Sequence, residues 1–297
     1  MRSPRYLLVT ADDYGIGPET SRGILDLGRE GLVTSTVLLV TSPHACAAVQ
    51  AWREAGQPVE LGWHPCLTLD RPVLPADQVP TLVDSEGRFW PLGKFLRRLC
   101  LRQIRSAEME AELRAQLGRF RDLIGHEPAV VNAHHHIQVF GRVGRILEKL
   151  LAERKARPFV RRVREFWTTL ALVPGGRCKR ALLSYLGRRQ AGGEGAANDM
   201  LAGITNPKYV RDPDFLLRWL RRAPGHVVEL ACHPGHADET LLGRDCPAKD
   251  DQFFRRPREL ELLRDARFAR MCRHAGFTLV SPSQLHDVLS GGEAHAA

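Results

Sequence analysis

Short apolar runs separated by amphipathic stretches set the pattern of this chain. Tyr6-Leu7-Leu8-Val9-Thr10 is β-rich and gives way to Asp12-Asp13-Tyr14-Gly15. A helical stretch follows near 18–30, with Ile24, Leu25 and Leu27 on one side. Residues 35–40 (STVLLV) read as a second strand, 44–54 as a short helix and 59–67 (VELGWHPCL) as a third strand. Pro and Gly punctuate 70–95, which reads as loop. Helical spacing returns over 106–124 through Met109, Leu113, Leu117 and Phe120, opened by Ser106 with Glu108 and Glu110 in the first turn. A fourth strand is expected at 129–136 (AVVNAHHH), a helix near 141–153 and a fifth strand at 157–163. Residues 227–234 and 277–282 read as later strands, with a helical stretch near 257–274 between them.

Strands alternating with helices predict an α/β fold with mostly parallel strands, apolar on both faces where helices cover the sheet. No internal repeat is visible. The expected organisation is one catalytic domain over 1–290, with insertions near 70–105 and 166–213 and a disordered tail at 291–297. Within the second insertion, the Gly- and Ala-rich stretch 187–198 reads as a mobile loop.

At 297 residues, with 43% apolar and 26% charged, the chain is long enough for a full core. A coiled coil or a small disulfide scaffold is excluded. Seven Cys, an odd number with no pair at C-x-x-C spacing, indicate neither a disulfide framework nor a Cys-rich zinc site, and predict a reducing compartment. The apolar run before Asp12 is too short for a signal peptide, and no run of apolar residues is long enough to span a membrane. A cytoplasmic location is therefore expected, with peripheral contact at the inner face of the cytoplasmic membrane.

That contact is suggested by charge. Lys and Arg number 43 against 34 Asp and Glu, a net +9. The excess is local. Lys94, Arg97, Arg98, Arg102 and Arg105 stand in one acid-free window, and Arg177, Lys179, Arg180, Arg188 and Arg189 in another. Local basicity disfavours a nucleic-acid-binding body. The second window also carries Phe166, Trp167, Leu170, Leu172, Leu182, Leu183, Tyr185 and Leu186, a composition suited to an anionic membrane surface. A solvated lid over the barrel mouth, its apolar residues packed on the core, is the plainer alternative.

Four polar clusters follow apolar strands: Asp12-Asp13, His64, His134-His135-His136 and His233. The C-terminal ends of parallel strands converge on one face, where sites are built. Each cluster has a bland reading. Paired Asp can cap a helix, His64 can be a bonded core residue, the triple His a satisfied buried run, and His233 a turn residue. Adjacent carboxylates repel unless a cation or proton separates them, and three imidazoles are costly to bury. In a strand, His134 and His136 would face one side and His135 the other. One carboxylate with two imidazoles is a ligand set with open positions, hydrolytic when zinc acidifies a water there. Two competitors remain: another hydrolase on the same ligands, such as a phosphoesterase, and a basic peripheral binding protein with a vestigial site. No G-x-x-x-x-G-K phosphate loop supports the first, and the completeness of the set argues against the second.

Thr10-Ala11-Asp12-Asp13-Tyr14-Gly15, Gly62-x-His64-x-x-Leu67-Thr68, His134-His135-His136 and His233-Pro234-Gly235 occur in that order, and together they resemble the YdjC-like carbohydrate deacetylases. Val33-Thr34-Ser35-Thr36 also looks like that family's segment before its second strand. Trp90-Pro91-Leu92, Phe159-Val160-Arg161 and Arg258-Glu259-Leu260-Glu261-Leu262-Leu263 look closest to the hopanoid biosynthesis-associated branch. The resemblance implies an irregular (β/α) barrel, a divalent metal (zinc or magnesium) and removal of an N-acetyl group from an N-acetylglucosamine-type sugar, lipid-linked as in a hopanoid glycoside or soluble as a chitooligosaccharide. By position it implies Asp13, His64 and His134 as metal ligands, Asp12 as general base, His233 as general acid and Arg161 as the residue orienting base or substrate. A bell-shaped pH profile framed by Asp12 and His233 would follow. Asn132 and Gln138 depart from the family pattern, where Asp and His are frequent, and bear on the metal's surroundings rather than the reaction.

Overall fold

A computed structural model describes residues 4–154, 157–188, 190 and 196–293. Among the described residues, eight strands form one sheet: β1 (Arg5–Tyr14), β2 (Ser35–Leu38), β3 (Glu60–Trp63), β4 (Val130–Val131), β5 (Phe159–Val160), β6 (Met200–Ala202), β7 (Val227–Cys232) and β8 (Phe277–Leu279). All the paired strands run parallel, in the order β5-β4-β3-β2-β1-β7-β6. The first residues of β1 pair with β8 and its later ones with β2, so these two strands share one flank of β1 while β7 takes the other.

The helices are α1 (Pro18–Arg29), α2 (Ala45–Glu54), α3 (Leu92–Cys100), α4 (Ser106–Ile124), α5 (Gly141–Glu153), α6 (Trp167–Leu172), α7 (Arg177–Gly187), α8 (Phe215–Arg222), α9 (Asp251–Arg264), α10 (Ala266–His274) and α11 (Pro282–Glu293). Their apolar stripes and the outward side of the strands make the main core, with Leu7, Val9, Leu38, Trp63, Val131 and Leu230 among its members. This is the α/β architecture expected from the alternation, curled into an irregular barrel. Among the described residues, the ends of the curl, β5 and β6, meet without strand pairing. The Val160 N–H donates to the Ala196 carbonyl at 3.0 Å and the Leu201 N–H to the Arg164 carbonyl at 2.8 Å, while the Asn198 side chain stands in for a strand against both main-chain groups of Arg162.

Alternate residues on the strands point inward. Leu8, Val37, Val130, Phe159 and Val227 fill the barrel floor with Val280 and Leu285 beneath them. One step further along the strands the inward residues turn polar: Thr10, Asn132, Arg161 and Glu229. On β3, Gly62 stands in register with Val37 and Val130, and nothing larger fits there; a Cβ would lie 2.2 Å from the Val130 carbonyl oxygen. Two residues beyond Thr10 on β1 comes Asp12, and two beyond Gly62 comes His64.

Several expected boundaries are corrected. Part of the 70–95 loop is α3, which begins at Leu92. The fourth strand is only Val130–Val131, because His134–Val139 forms a short 3-10 segment. The fifth strand is only Phe159–Val160. Three-residue β6 was too short to register as a periodic pattern. The stretch near 257–274 is two helices, parted at Asp265, whose side chain accepts from the Arg267 N–H and caps α10. Helix α11 runs into the expected tail as far as Glu293; 294–297 lie outside the described residues, as do 189 and 191–195 of the expected mobile loop.

Candidate active site at the barrel mouth

The two adjacent carboxylates reach the same side of β1 through a break in its pleat. Ala11 pairs with Thr36 and Tyr14 with Leu38, so Asp12 and Asp13 together oppose the single residue Val37. Asp13 adopts a φ of 66°, a left-handed conformation that Asp tolerates better than most residues. A regular strand would have sent one of the two outward.

Asp12 is gripped by Arg161. Nη1 and Nη2 donate to its two oxygens at 2.6 and 2.8 Å, and Nε donates to Glu229 Oε1 at 2.8 Å. All three side chains are buried. Burial favours the neutral guanidine, but Asp12 and Glu229 outweigh it and hold Arg161 charged. Asn132 adds a bond to Asp12 from Nδ2 at 3.3 Å.

Asp13 sits between two imidazoles. His134 Nδ1 is 2.9 Å and His64 Nε2 3.2 Å from its Oδ1, while Arg256 Nη2 donates to Oδ2 at 2.8 Å. Burial would raise the Asp13 carboxyl; Arg256 and then His134 override it and hold it well below the usual carboxylate range. Burial would lower His134, yet the charge of Asp13 raises it above an ordinary imidazole.

The residues fit a divalent cation on several counts. Among the described residues, Asp13, His64 and His134 each present a ligating atom within 4.8 Å of the others, all buried. His64 Nδ1 lies 2.7 Å from the Asn132 carbonyl, which makes Nδ1 the protonated nitrogen and leaves the Nε2 lone pair facing Asp13. His134 Nε2 is buried with no partner among the described residues. The five carboxylates of Asp12, Asp13, Glu229, Asp245 and Glu259 pair with three guanidiniums, those of Arg161, Arg255 and Arg256. With every carboxylate ionised and every imidazole neutral, the excess is two negative charges, that of one divalent cation.

His233 closes the site opposite. Its Nε2 lies 3.9 Å from Asp12 Oδ2, and its main-chain N–H donates to Glu259 Oε2. Burial, then the charge of Arg255, push the imidazole well below its ordinary value.

The triple His is also corrected. His135 and His136 both take left-handed φ values, 56° and 55°, so the strand alternation does not apply. Only His134 enters the cluster. His135 Nδ1 pairs instead with the Thr68 hydroxyl at 2.9 Å. Gln138, one of the two departures, is buried with its side-chain amide unpartnered among the described residues.

Sequence reasoning missed Glu229, Arg255, Arg256 and Glu259. Glu229 had a readable signal, a lone acid at an inward position of an otherwise apolar strand. The other three lie in α9, whose sequence DQFFRRPRELELLR looks like a solvated helix.

Of the basic window, 167–172 form α6 and 177–187 form α7, and Phe166, Leu183 and Leu186 pack in part on the core. Trp167, Leu172, Leu182 and Tyr185 are each more than half exposed. Its cations are fewer than the sequence suggested. Arg180 is buried in an ion pair with Glu165, and Lys179 Nζ donates to the Thr205 carbonyl at 2.8 Å. Arg177 and Arg188 are exposed, and Arg189 lies outside the described residues. Among the described residues no helix is long and apolar enough to cross a membrane.

The family model described as YdjC-like protein matches residues 6–274. A carbohydrate deacetylase of Brevibacillus brevis is 31% identical over 94% of this chain and 99% of its own length. A carbohydrate deacetylase of Enterococcus faecalis is 34% identical over 46% of this chain, and a chitooligosaccharide deacetylase of Citrobacter koseri 33% identical over 50%. These two matches span 50% and 57% of those proteins, about half the length of the relatives. A crystal structure of an Enterococcus faecalis protein described as a putative cellobiose-phosphate cleavage protein superposes with a TM-score of 0.77 at 24% identity, covering 96% of this chain and all of that one, and shows the shared fold.

Proposed function

From the premise that the chain belongs to the YdjC-like family, we propose that it is a metal-dependent hydrolase removing the N-acetyl group from an N-acetylglucosamine-type amino sugar. The observation that carries this is one buried juxtaposition. The Asp13–His64–His134 cluster lies beside an Asp12 fixed by Arg161, with His233 Nε2 3.9 Å from that carboxylate. The names of the relatives point the same way. The proposed catalytic unit is a single domain over 1–290 with insertions near 70–105 and 166–213.

In this reading Asp13, His64 and His134 hold the cation, zinc or magnesium. When bound, it supplies Lewis-acid polarisation of the acetamide carbonyl and acidifies the attacking water. Asp12 takes the proton from that water as oxygen bonds to the carbonyl carbon. Arg161 keeps both Asp12 oxygens aimed and the carboxylate ionised. His233 receives the proton from the Asp12 side and delivers it to the amine nitrogen as the C–N bond breaks. Acetate and a free amino sugar leave. Arg161 is thus a positioning residue, and Asp12 and His233 move the proton.

The exposed Trp167, Leu172, Leu182 and Tyr185 favour a substrate presented at a surface, an amino-sugar glycoside anchored in a lipid such as a hopanoid. Peripheral contact with an anionic membrane, on its cytoplasmic face, then rests more on these apolar residues than on Arg177 and Arg188. Soluble chitooligosaccharides are the alternative substrate. The deciding experiment incubates metal-loaded protein with N-acetylglucosamine oligomers and with N-acetylglucosaminyl lipids and measures acetate. Phosphate release from phosphoesters, with no acetate, would turn the assignment to a phosphoesterase.

A further inference from the structure

We propose that Arg256 is a built-in counter-cation for Asp13 that competes with the divalent cation and sets the site's affinity below what its ligands alone would give. The inference rests on reading Asp13, His64 and His134 as the cation site.

Arg256 comes from α9, and its position is fixed at several points. Its main-chain carbonyl accepts the Gly235 N–H at 3.2 Å, which ties its backbone to the His233-Pro234-Gly235 turn. Its Nη2 is shared between Asp13 Oδ2 at 2.8 Å and Asp245 Oδ2 at 3.2 Å. The residue is only 4% exposed, and its Nη1 is buried with no partner among the described residues. A guanidinium so placed stays on Asp13 whether or not a cation is present.

Groups that hold a metal-ligating side chain from behind are usually carboxylates or carbonyls, and they make the ligand more basic. A guanidinium does the reverse. It withdraws charge from the carboxylate and repels any cation on that same group. In a buried, poorly screened site this like-charge repulsion outweighs the loss of one hydrogen bond. Removing the charge should therefore tighten cation binding, although it removes a contact. Asp245 is the opposing partner. It draws part of Arg256 away from Asp13, so its loss should hand Arg256 to Asp13 and weaken cation binding. The same arrangement keeps Asp13 paired when no cation is bound, which is how a metal-free chain avoids a bare buried charge.

The test is calorimetric titration of the metal-free full chain with zinc ion alone. Arg256→Met should lower the dissociation constant about 10- to 100-fold, the span usual for groups that contact metal ligands. Asp245→Asn should raise it. Arg256→Lys, which keeps the charge, should stay near the wild type. The metal-free Arg256→Met protein should also melt lower than the wild type and gain more from zinc. Opposite signs separate this role from a structural one, since damage to the site would weaken binding in both variants. Both variants weakening, or both unchanged, would overturn the proposal. If Arg256→Met does not fold, Asp245→Asn decides, and unchanged or tighter binding in it overturns the proposal. A wild type that binds no zinc removes the cation reading itself and this inference with it.

Discussion

Arg161 binds Asp12 with both terminal nitrogens, at 2.6 and 2.8 Å, and spends its remaining Nε on Glu229 at 2.8 Å. One buried guanidinium thus serves two buried carboxylates on two other strands. Arg161→Met would leave both uncompensated, and breaking a buried pair in this way costs about 3–5 kcal/mol. The variant should show that loss in denaturant unfolding. Arg161→Lys retains the charge but not the two-point grip, so it should recover stability and still turn over slowly, with kcat falling more than KM changes. Full activity in Arg161→Lys would mean that the aim of Asp12 is set by something else.

The two neighbouring carboxylates should fail differently. His64→Ala and His134→Ala are expected to lose both metal and activity. Asp12→Asn should keep its metal and lose about 10²–10⁴ in turnover, the usual worth of a positioned base. Metal analysis beside acetate release separates them. If Asp12→Asn lost metal while Asp13→Asn kept it, the two roles would be exchanged.

The barrel and most of its mouth were legible because apolar runs of fixed polarity ended in Asp or His at Asp12, His64 and His233. What was not legible depended on local backbone conformation or on distant partners. Nothing in the pattern marks the bulge that turns Asp12 and Asp13 to one side, because it arises from a left-handed Asp13 and the pairing with β2. The left-handed pair His135-His136 likewise undid the strand reading of the triple His. Arg256 sits 243 residues from Asp13, in a helix whose charge pattern resembles any solvated surface. Arg180 shows the converse: its acid, Glu165, lies one residue before the window that seemed to lack one.

Acid stability should carry the mark of His233. Its folded-state pKa is depressed, because burial and then Arg255 oppose the charge. The unfolded chain therefore binds this proton first, as pH falls through about 6.5. Stability contributed by the neutral imidazole is full above that pH and is lost below it, by up to about 1.4 kcal/mol per pH unit. Thermal unfolding between pH 7.5 and 5 should flatten in His233→Asn. An identical slope in the variant would place the titration on other groups.

Membrane association should follow the apolar residues of α6 and α7. Co-sedimentation with anionic vesicles is expected for the wild type and should be lost in a Trp167→Ser, Leu182→Ser, Tyr185→Ser variant. Replacing Lys179 and Arg180 should matter little to binding, because one donates to a carbonyl and the other is buried in its ion pair. A wild type that stays in the supernatant at low salt would make a soluble chitooligosaccharide the better substrate.

The central claim is a cation-dependent deacetylation at the Asp13–His64–His134 cluster. Acetate release from N-acetylglucosamine oligomers and N-acetylglucosaminyl lipids, measured before chelation, after it and after reloading with zinc or magnesium, tests it most directly. The account predicts release that disappears with the metal, returns with it, and is absent throughout in His134→Ala. Release that persists undiminished in the metal-free protein, or none from either substrate class with the site fully loaded, would contradict it.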